Sequence, residues 1–340
     1  MSITRVAKLA GVSSSTVSRV INRHPRVAPE TALSVQKAMQ QLGYTPSERR
    51  PGPKPAAHLR AGTATIAFFV LGTTQSRATP GFELLLRGVS LGASHHHLHL
   101  TFSHIPDPDQ WPKHMADQRF EGVLLHGAPP GPRLREQLGR FPVVWLMGNR
   151  NRPHWGDQVM PDFYSVGEMA AQYLLSRGHR RLATLNMDTD HWAHRLAAQA
   201  FSLTAQDGGA EVVTVEHSGR PSKEYWRDFR REEIDSVVGT FEALSPRPTG
   251  VFVAEDKQVA ILQPALQQRG IELGAGKVQI ISCNNEEPYL LGLEPRPASI
   301  DIRVESIGRR GVEHLLWRLE HQGALDRLIL SIEPQLVKLP

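Results

Sequence analysis

The sequence predicts an α/β protein: a three-helix unit at the amino-terminal end, joined by a linker to a core of two doubly wound parallel-sheet subdomains. Three observations carry this. Residues 4–44 show apolar positions at helical spacing only, residues 46–64 hold four prolines and no periodicity, and from Ala64 short apolar runs alternate with amphipathic segments. Strand–helix alternation at that spacing builds a parallel sheet covered on both faces. With 340 residues and 40% hydrophobic content, the chain can bury more than one core.

Thr4 to Ala10 reads as a first short helix. Thr4 can cap it, Val6, Ala7, Leu9 and Ala10 are apolar, and Gly11 can take the left-handed turn that ends it. A second helix starts at Ser13 or Ser14, with Val17, Val20 and Ile21 inward and Ser14, Ser15, Ser18 and Arg19 outward. The third, Pro29 to Leu42, opens with proline in its first turn and is expected to bury Leu33, Val35, Ala38, Met39 and Leu42. Ala28 stands at its cap position, where an alanine costs about 1 kcal/mol. Helix, glycine-containing turn, helix is the arrangement that sets the start of the second helix into a DNA major groove. Charge agrees. Residues 1–60 carry ten basic and two acidic side chains, a net of +8, whereas the rest carries 29 basic and 32 acidic, a net of −3.

The linker PSERRPGPKPAAHLRAGTA favours extended backbone up to Pro55. Arg49, Arg50 and Lys54 either lie in a narrow minor groove or form a solvated basic spacer; the sequence leaves both open.

In the body, strands are expected at 64–70, 98–102, 122–127 and 143–147, with helices at 80–93, 110–118 and 132–138 between them. The second half repeats the scheme. Helix 164–176, strand 181–186, helix 192–206 and strand 211–216 precede helices within 224–244, strand 250–255, helix 257–269 and strand 278–282. Two such halves leave a cleft at the carboxyl ends of their strands, where small ligands bind.

Several motifs invite other chemistry. Gly88-Val89-Ser90-Leu91-Gly92 matches the serine-hydrolase elbow, but Leu84, Leu85 and Val89 place it inside a helix rather than on a strand-to-helix turn. His95, His96, His97 and His99 could suggest zinc, yet neighbours on a strand alternate faces, and a turn into a strand edge fits better. His179 reads as a helix-end packing residue. No carboxylate pair or Cys/His spacing specifies catalysis, so neither an enzyme nor a cofactor or metal is expected. No apolar run approaches the ~20 residues of a membrane span, no cleavable apolar segment stands at the start, and Cys283 is the only cysteine. A cytoplasmic protein is expected.

AGVSSSTVSRVIN (10–22), VAPET (27–31) and AMQQLGYTP (38–46) resemble, almost position by position, the DNA-binding head of the LacI/GalR transcriptional regulators. More loosely, TPGFELLLRGV (79–89), DFYSVGEMAAQYLLSRGHRRLATL (162–185) and PTGVFVAED (248–256) resemble that family's core. The resemblance implies a helix-turn-helix head over residues 1–46, a hinge linker over 47–63, and a periplasmic-binding-protein-like core over 64–340. Subdomain 1 would take about 64–161 and 303–322, and subdomain 2 about 162–302 and 323–340. It further implies a homodimeric regulator, of repressor type, on a palindromic double-stranded DNA operator, answering to an unidentified small-molecule effector. The candidate DNA contacts are Thr4, Ser13, Ser14, Ser15, Thr16, Ser18, Arg19, Asn22, Arg23, Tyr44, Arg49, Arg50 and Lys54. Ser14, Ser15 and Arg19 are the ones that the family turns to base edges.

At the effector positions the chain departs from the family. The clamp arginine falls on Ala197, the asparagine of N-D on Glu255, an acid on Asn284 and a sugar-binding aspartate on Met147, while Phe82 keeps the stacking aromatic. The expected pocket is therefore more apolar: Phe82, Met147 and Trp192, with Trp145 either there or in the core, and Glu255, Asn284, Asn285 and Arg195 as polar groups. The alternative from a different class is a solute-binding protein that carries ligand without regulating.

Overall fold

Helical patterning near the amino terminus becomes three helices, α1 (Ile3–Ala10), α2 (Ser14–Ile21) and α3 (Pro29–Gln41). The computed structural model describes residues 3–21, 27–42, 64–72, 79–111, 119–148, 155–217, 229–321, 323–324 and 326–337. The chain divides into two compact units, Met1–Lys54 and Pro55–Pro340.

In the first unit, Val6 and Ala7 of α1, Val17 of α2, and Val35 and Ala38 of α3 form the core. Gly11, at φ +64°, ends α1 in the left-handed conformation that a side chain resists. The Val12 N–H then turns back to the Ala7 carbonyl at 3.0 Å. Ser13 caps α2, its Oγ accepting the Thr16 N–H at 3.2 Å. α1 begins at Ile3, so Thr4 lies within the first turn and not at the cap. Leu33 is a correction: it is 55% exposed. The inward positions of α3, Val35, Ala38, Met39 and Leu42, follow the i, i+3, i+4, i+7 stripe, and Leu33 lies about 200° round the helix from Val35. Ala28 is the N-cap of α3 and supplies no side-chain hydrogen bond.

The second unit holds two six-stranded sheets. The first is built from β1 (Thr65–Leu71), β2 (His99–Ile105), β3 (Gly122–Gly127), β4 (Val143–Leu146), β5 (Asp157–Pro161) and β11 (Ile329–Ile332). Its order is β2-β1-β3-β4-β5-β11, all parallel. The second is built from β6 (Arg181–Asn186), β7 (Glu211–Glu216), β8 (Gly250–Phe252), β9 (Gln279–Cys283), β10 (Ala298–Asp301) and β12 (Gln335–Val337). It repeats the order as β7-β6-β8-β9-β10-β12, with β12 antiparallel at the edge. Strands β1, β3 and β4 are almost wholly buried, which is why they read as unbroken apolar runs.

Helices α4 (Pro80–His95), α5 (Pro132–Leu138), α6 (Phe163–Ser176), α7 (Trp192–Asp207), α8 (Arg231–Glu242), α9 (Asp256–Gln268), α10 (Glu287–Leu290) and α11 (Val304–Glu320) join the strands. Gly88 of α4 and Gly308 of α11 let two helices of the first lobe approach closely. A Cβ on Gly88 would lie 2.1 Å from the Glu305 carbonyl oxygen, and one on Gly308 would lie 2.4 Å from that of Leu85. Ser90 is therefore an α4 residue, and no elbow exists there. His95 closes α4 and His97 turns at φ 56°, so the histidine run is the α4–β2 turn. His179 joins the second sheet's strand starts, its ring bonded to Thr249 Oγ1 at 2.9 Å and Gln279 Oε1 at 3.0 Å.

Four strands were not legible in the sequence: β5, β10, β11 and β12. β5 is the telling case. It reads Asp-Gln-Val-Met-Pro and is buried throughout, because Asp157 is held by His314 Nε2, Arg318 Nε and Nη2, each at 2.7 Å, and by the Leu328 N–H at 2.9 Å. β11 also moves a boundary. It pairs with β5 in the first sheet, so the chain makes its last crossing at residues 333–334 and not near 323. The expected strand 250–255 stops at Phe252, which frees Ala254 and Glu255 for the cleft. Most of the expected helix 110–118, the start of 224–244 and the linker lie outside the described residues.

Candidate functional site: a cavity between two lobes

In each sheet the order reverses next to its first strand, β1 or β6, and the segments leaving the carboxyl ends there splay apart. The two sets meet across a cavity of about 980 Å³, mouth included. From the first lobe come Thr79, Gly81, Phe82 and Leu85 at the start of α4, His126 at the end of β3, and Met147 just past β4. From the second come Asp188 after β6, His191, Trp192 and His194 at the start of α7, Glu255 and Lys257 after β8, and Asn284, Glu286 and Tyr289 after β9. Met147 and Asn284 both adopt positive φ, 57° and 104°. Such conformations cost non-glycine residues energy and recur at binding sites.

One part of the wall is apolar. Phe163 and Trp192 meet edge to face at 5.4 Å, and Phe82 lies 6.0 Å from the His126 ring. The other part is acidic. Glu286, 8% exposed, reaches from the second lobe to accept the Gly81 N–H of α4 at 2.9 Å, a carboxylate on a helix N-terminus. Asp256 positions this segment by accepting the Glu286 N–H at 2.7 Å and the Ser299 hydroxyl at 3.0 Å; the Ser282 hydroxyl also donates to it. Gln258 accepts the Met187 N–H at 2.8 Å and lies 3.4 Å from both His194 and Glu255.

Burial sets the protonation states. Glu255 is pushed up to about 7 by desolvation and then by the neighbouring Glu286 charge, and Asp256 to about 7 by desolvation. Glu286 is raised too, again by burial. The histidines move the other way: His191 falls to about 4 through burial and then Arg195, while His194 and His126 are lowered chiefly by burial. All three imidazoles are neutral at pH 7.

Of the residues proposed from sequence, Phe82, Met147, Trp192, Glu255 and Asn284 line this cavity. Arg195 does not. It is exposed and donates to the Thr189 carbonyl at 3.2 Å, because the α7 turn that faces the cavity is His191 to His194. Trp145 belongs to the core under β4, its indole N–H donating to the Trp155 carbonyl at 2.9 Å. Asn285 is not in the wall either; its N–H donates to the Ser299 hydroxyl at 3.0 Å. Ala197, where the family's clamp would fall, is buried against α6, with its carbonyl 2.1 Å from where a Gly167 Cβ would stand. Sequence reasoning missed Asp188, His191, His194, Lys257, Glu286 and Tyr289. The acidic-and-histidine content of the two loops, Asp188 to His194 and Glu286 to Glu287, was the available signal.

On the head, Ser13 and Ser14 are exposed and Thr16 is half-buried. Positions 15 and 19 share the side of α2 opposite Val17 by helical register. The side chains of Thr4, Ser15, Ser18 and Arg19, and Asn22, Arg23, Tyr44, Arg49, Arg50 and Lys54 altogether, lie outside what is described. Among the described residues no group of His, Cys, Asp or Glu is arranged to hold a metal ion, and no helix is long and apolar enough to cross a membrane.

Residues 2–47 match the family profile "Bacterial regulatory proteins, lacI family". Residues 70–218 match "Periplasmic binding proteins and sugar binding domain of LacI family", and residues 171–338 match "Periplasmic binding protein-like domain". The chain is 26% identical to the HTH-type transcriptional repressor PurR of Mannheimia succiniciproducens, over 98% of this chain and 96% of that protein. It is 25% identical to the ribose operon repressor of Escherichia coli K12, over 98% and 97%. Among solved structures, a transcriptional regulator CelR–cellobiose complex superposes with a TM-score of 0.63 at 23% identity, covering 99% and 98% of the two chains. The lac repressor dimer bound to operator and the anti-inducer ONPF gives 0.62 at 18% identity with the same coverage. From head to last strand, then, the chain belongs to the LacI family of transcriptional regulators, which join a DNA-binding helix-turn-helix to an effector-binding core.

Proposed function

We propose that this regulator is a cytoplasmic repressor that binds an inverted-repeat operator as a homodimer, and that a small molecule in the inter-lobe cavity sets its affinity for DNA. The observation that carries the reading is the hydrogen bond from Gly81 to Glu286 across the cleft. Because the cavity wall comes from both lobes, an occupant acts on their separation, and couplings of this kind amount to about 1–3 kcal/mol. One reading helix per chain contacts few bases, so two chains on a two-fold site are needed for specific binding. Its relatives' names point the same way: a ribose operon repressor, and a lac repressor dimer seen bound to operator.

The test is selection of bound fragments from a genomic library by the full-length protein, with and without a panel of small metabolites. An enriched inverted repeat, lost or strengthened with one compound, is the expected result. Uniform recovery of all fragments would overturn the proposal.

A further inference from the structure

We propose that the effector is a cation: a small molecule with a protonated amine and an apolar or aromatic body, its nitrogen seated against the carboxyl groups of Glu255 and Glu286. This assignment rests on the reading of the cavity as the effector site. Three carboxylates enter the wall, Asp188, Glu255 and Glu286, against one ammonium, Lys257. That ammonium lies 5.8 Å from the centre of the Phe229 ring, which packs against the second lobe's core. Among the described lining residues the histidines are neutral and no arginine is present, so three carboxyl groups stand against one ammonium, whose charge acts on both Glu255 and Glu286.

A carboxyl group desolvated as Glu255 is keeps its proton unless a cation joins it. An anionic ligand such as a uronate or phosphate would add to the repulsion. A neutral polyol could donate hydrogen bonds but would leave Glu255 holding its proton and unable to pair as a carboxylate. An amine between Glu255 and Glu286 answers both carboxylates, and Phe82, Phe163 and Trp192 in the same wall supply aromatic surface for its body.

A proton-linked signature follows. Glu255 keeps its proton up to about pH 7, facing Glu286, Asp188, Lys257 and Gln258, with His191 and His194 in the same wall. An amine stays protonated to about pH 10, so its binding must expel the Glu255 proton below pH 7. Affinity should rise about tenfold per pH unit on approaching 7 and level off above it. Asp256 titrates in the same range but does not line the cavity, being held by Ser282, Ser299 and the Glu286 N–H.

The experiment is calorimetric titration of the full-length protein with tyramine and tryptamine, each beside its alcohol analogue, tyrosol and tryptophol, with ribose, cellobiose and glucuronate as neutral and anionic comparators. At least one amine should bind about tenfold or more tighter than its alcohol. It should release a proton at pH 6, and lose both the preference and the pH slope in Glu255→Gln. The wild-type comparison stands even if that variant folds poorly. Equal binding of amine and alcohol, or no binding by either amine, overturns the assignment. Binding of a sugar or glucuronate alone overturns it too while leaving the effector-site reading intact. An amine that binds but leaves DNA affinity unchanged supports the charge assignment and removes the effector role.

Discussion

Arg19 is the residue on which sequence discrimination should hinge, since two serines can bond to several bases whereas a guanidinium matches guanine in two places. Arg19→Ala should cost about 1–3 kcal/mol on the preferred operator and much less on random duplex, read by competition binding at fixed salt. An equal loss on both would make it a phosphate contact. Glu255 and Asp256 make a second prediction. Each is pushed from its ordinary 4.5 or 3.8 to about 7 in the fold, so the native chain keeps protons that the unfolded chain has lost. Where the native state holds more protons, stability falls as pH rises. Urea midpoints should decline from about pH 4.5 to 7 and then flatten, with a shallower decline in Glu255→Gln. An unchanged slope would mean that the carboxyl is not buried in solution. Phe82, Met147, Glu255 and Asn284 could be placed from sequence because each aligns with a family ligand position at a strand or helix end, and Trp192 because it is an aromatic at a helix start. Glu286 and the His191–His194 pair could not, because their role depends on which loops the two sheets bring together.

Elements with a single strong period were legible, and those whose composition serves a partner were not. Strands 122–127, 181–186 and 211–216 and helix 132–138 match the sequence reading to the residue. β5 was hidden because a buried aspartate opens it, and Leu33 was misplaced because an apolar residue in a helix need not fall on the apolar stripe. The bare cap of α3 gives a prediction: Ala28→Ser should supply the missing side-chain acceptor and stabilise the head by about 1 kcal/mol, seen as slower amide exchange along α3 in the full chain. The α4–α11 contact gives another in the opposite direction. Gly88→Ala places a methyl group against the Glu305 backbone, which cannot rotate away, and should lower stability by about 1–3 kcal/mol in denaturant unfolding. If Gly88→Ala were neutral, the two helices would have to stand farther apart.

At the scale of the whole effector core, two sheets of identical strand order are joined by three crossings, at 162, 302–303 and 333–334, and everything that holds the cleft shut must act across it. The repeat was readable from strand–helix alternation; the closure was not, since no periodicity encodes a contact between residues 205 positions apart. That contact is Glu286 Oε1 with the Gly81 N–H, at the positive end of α4. A Cβ on Gly81 would come within 2.9 Å of the same oxygen, so the Glu286 carboxylate must shift to admit a side chain there. Removing the carboxylate charge in Glu286→Gln weakens a charge-assisted bond to a neutral one, while Gly81→Ala pushes the partners apart without touching the charge. Both should shift the lobes toward an open arrangement by about 1–2 kcal/mol. Buried Cys283 is the only cysteine, so surface positions such as Glu136 in the first lobe and Gln268 in the second can be changed to cysteine and labelled selectively. The distance between such labels, measured on labelled chains diluted with unlabelled protein, should lengthen in both variants and shorten again when ligand fills the cavity. A distance unchanged in both would show that the lobes are held together by their crossings alone, and that Glu286 only lines the wall.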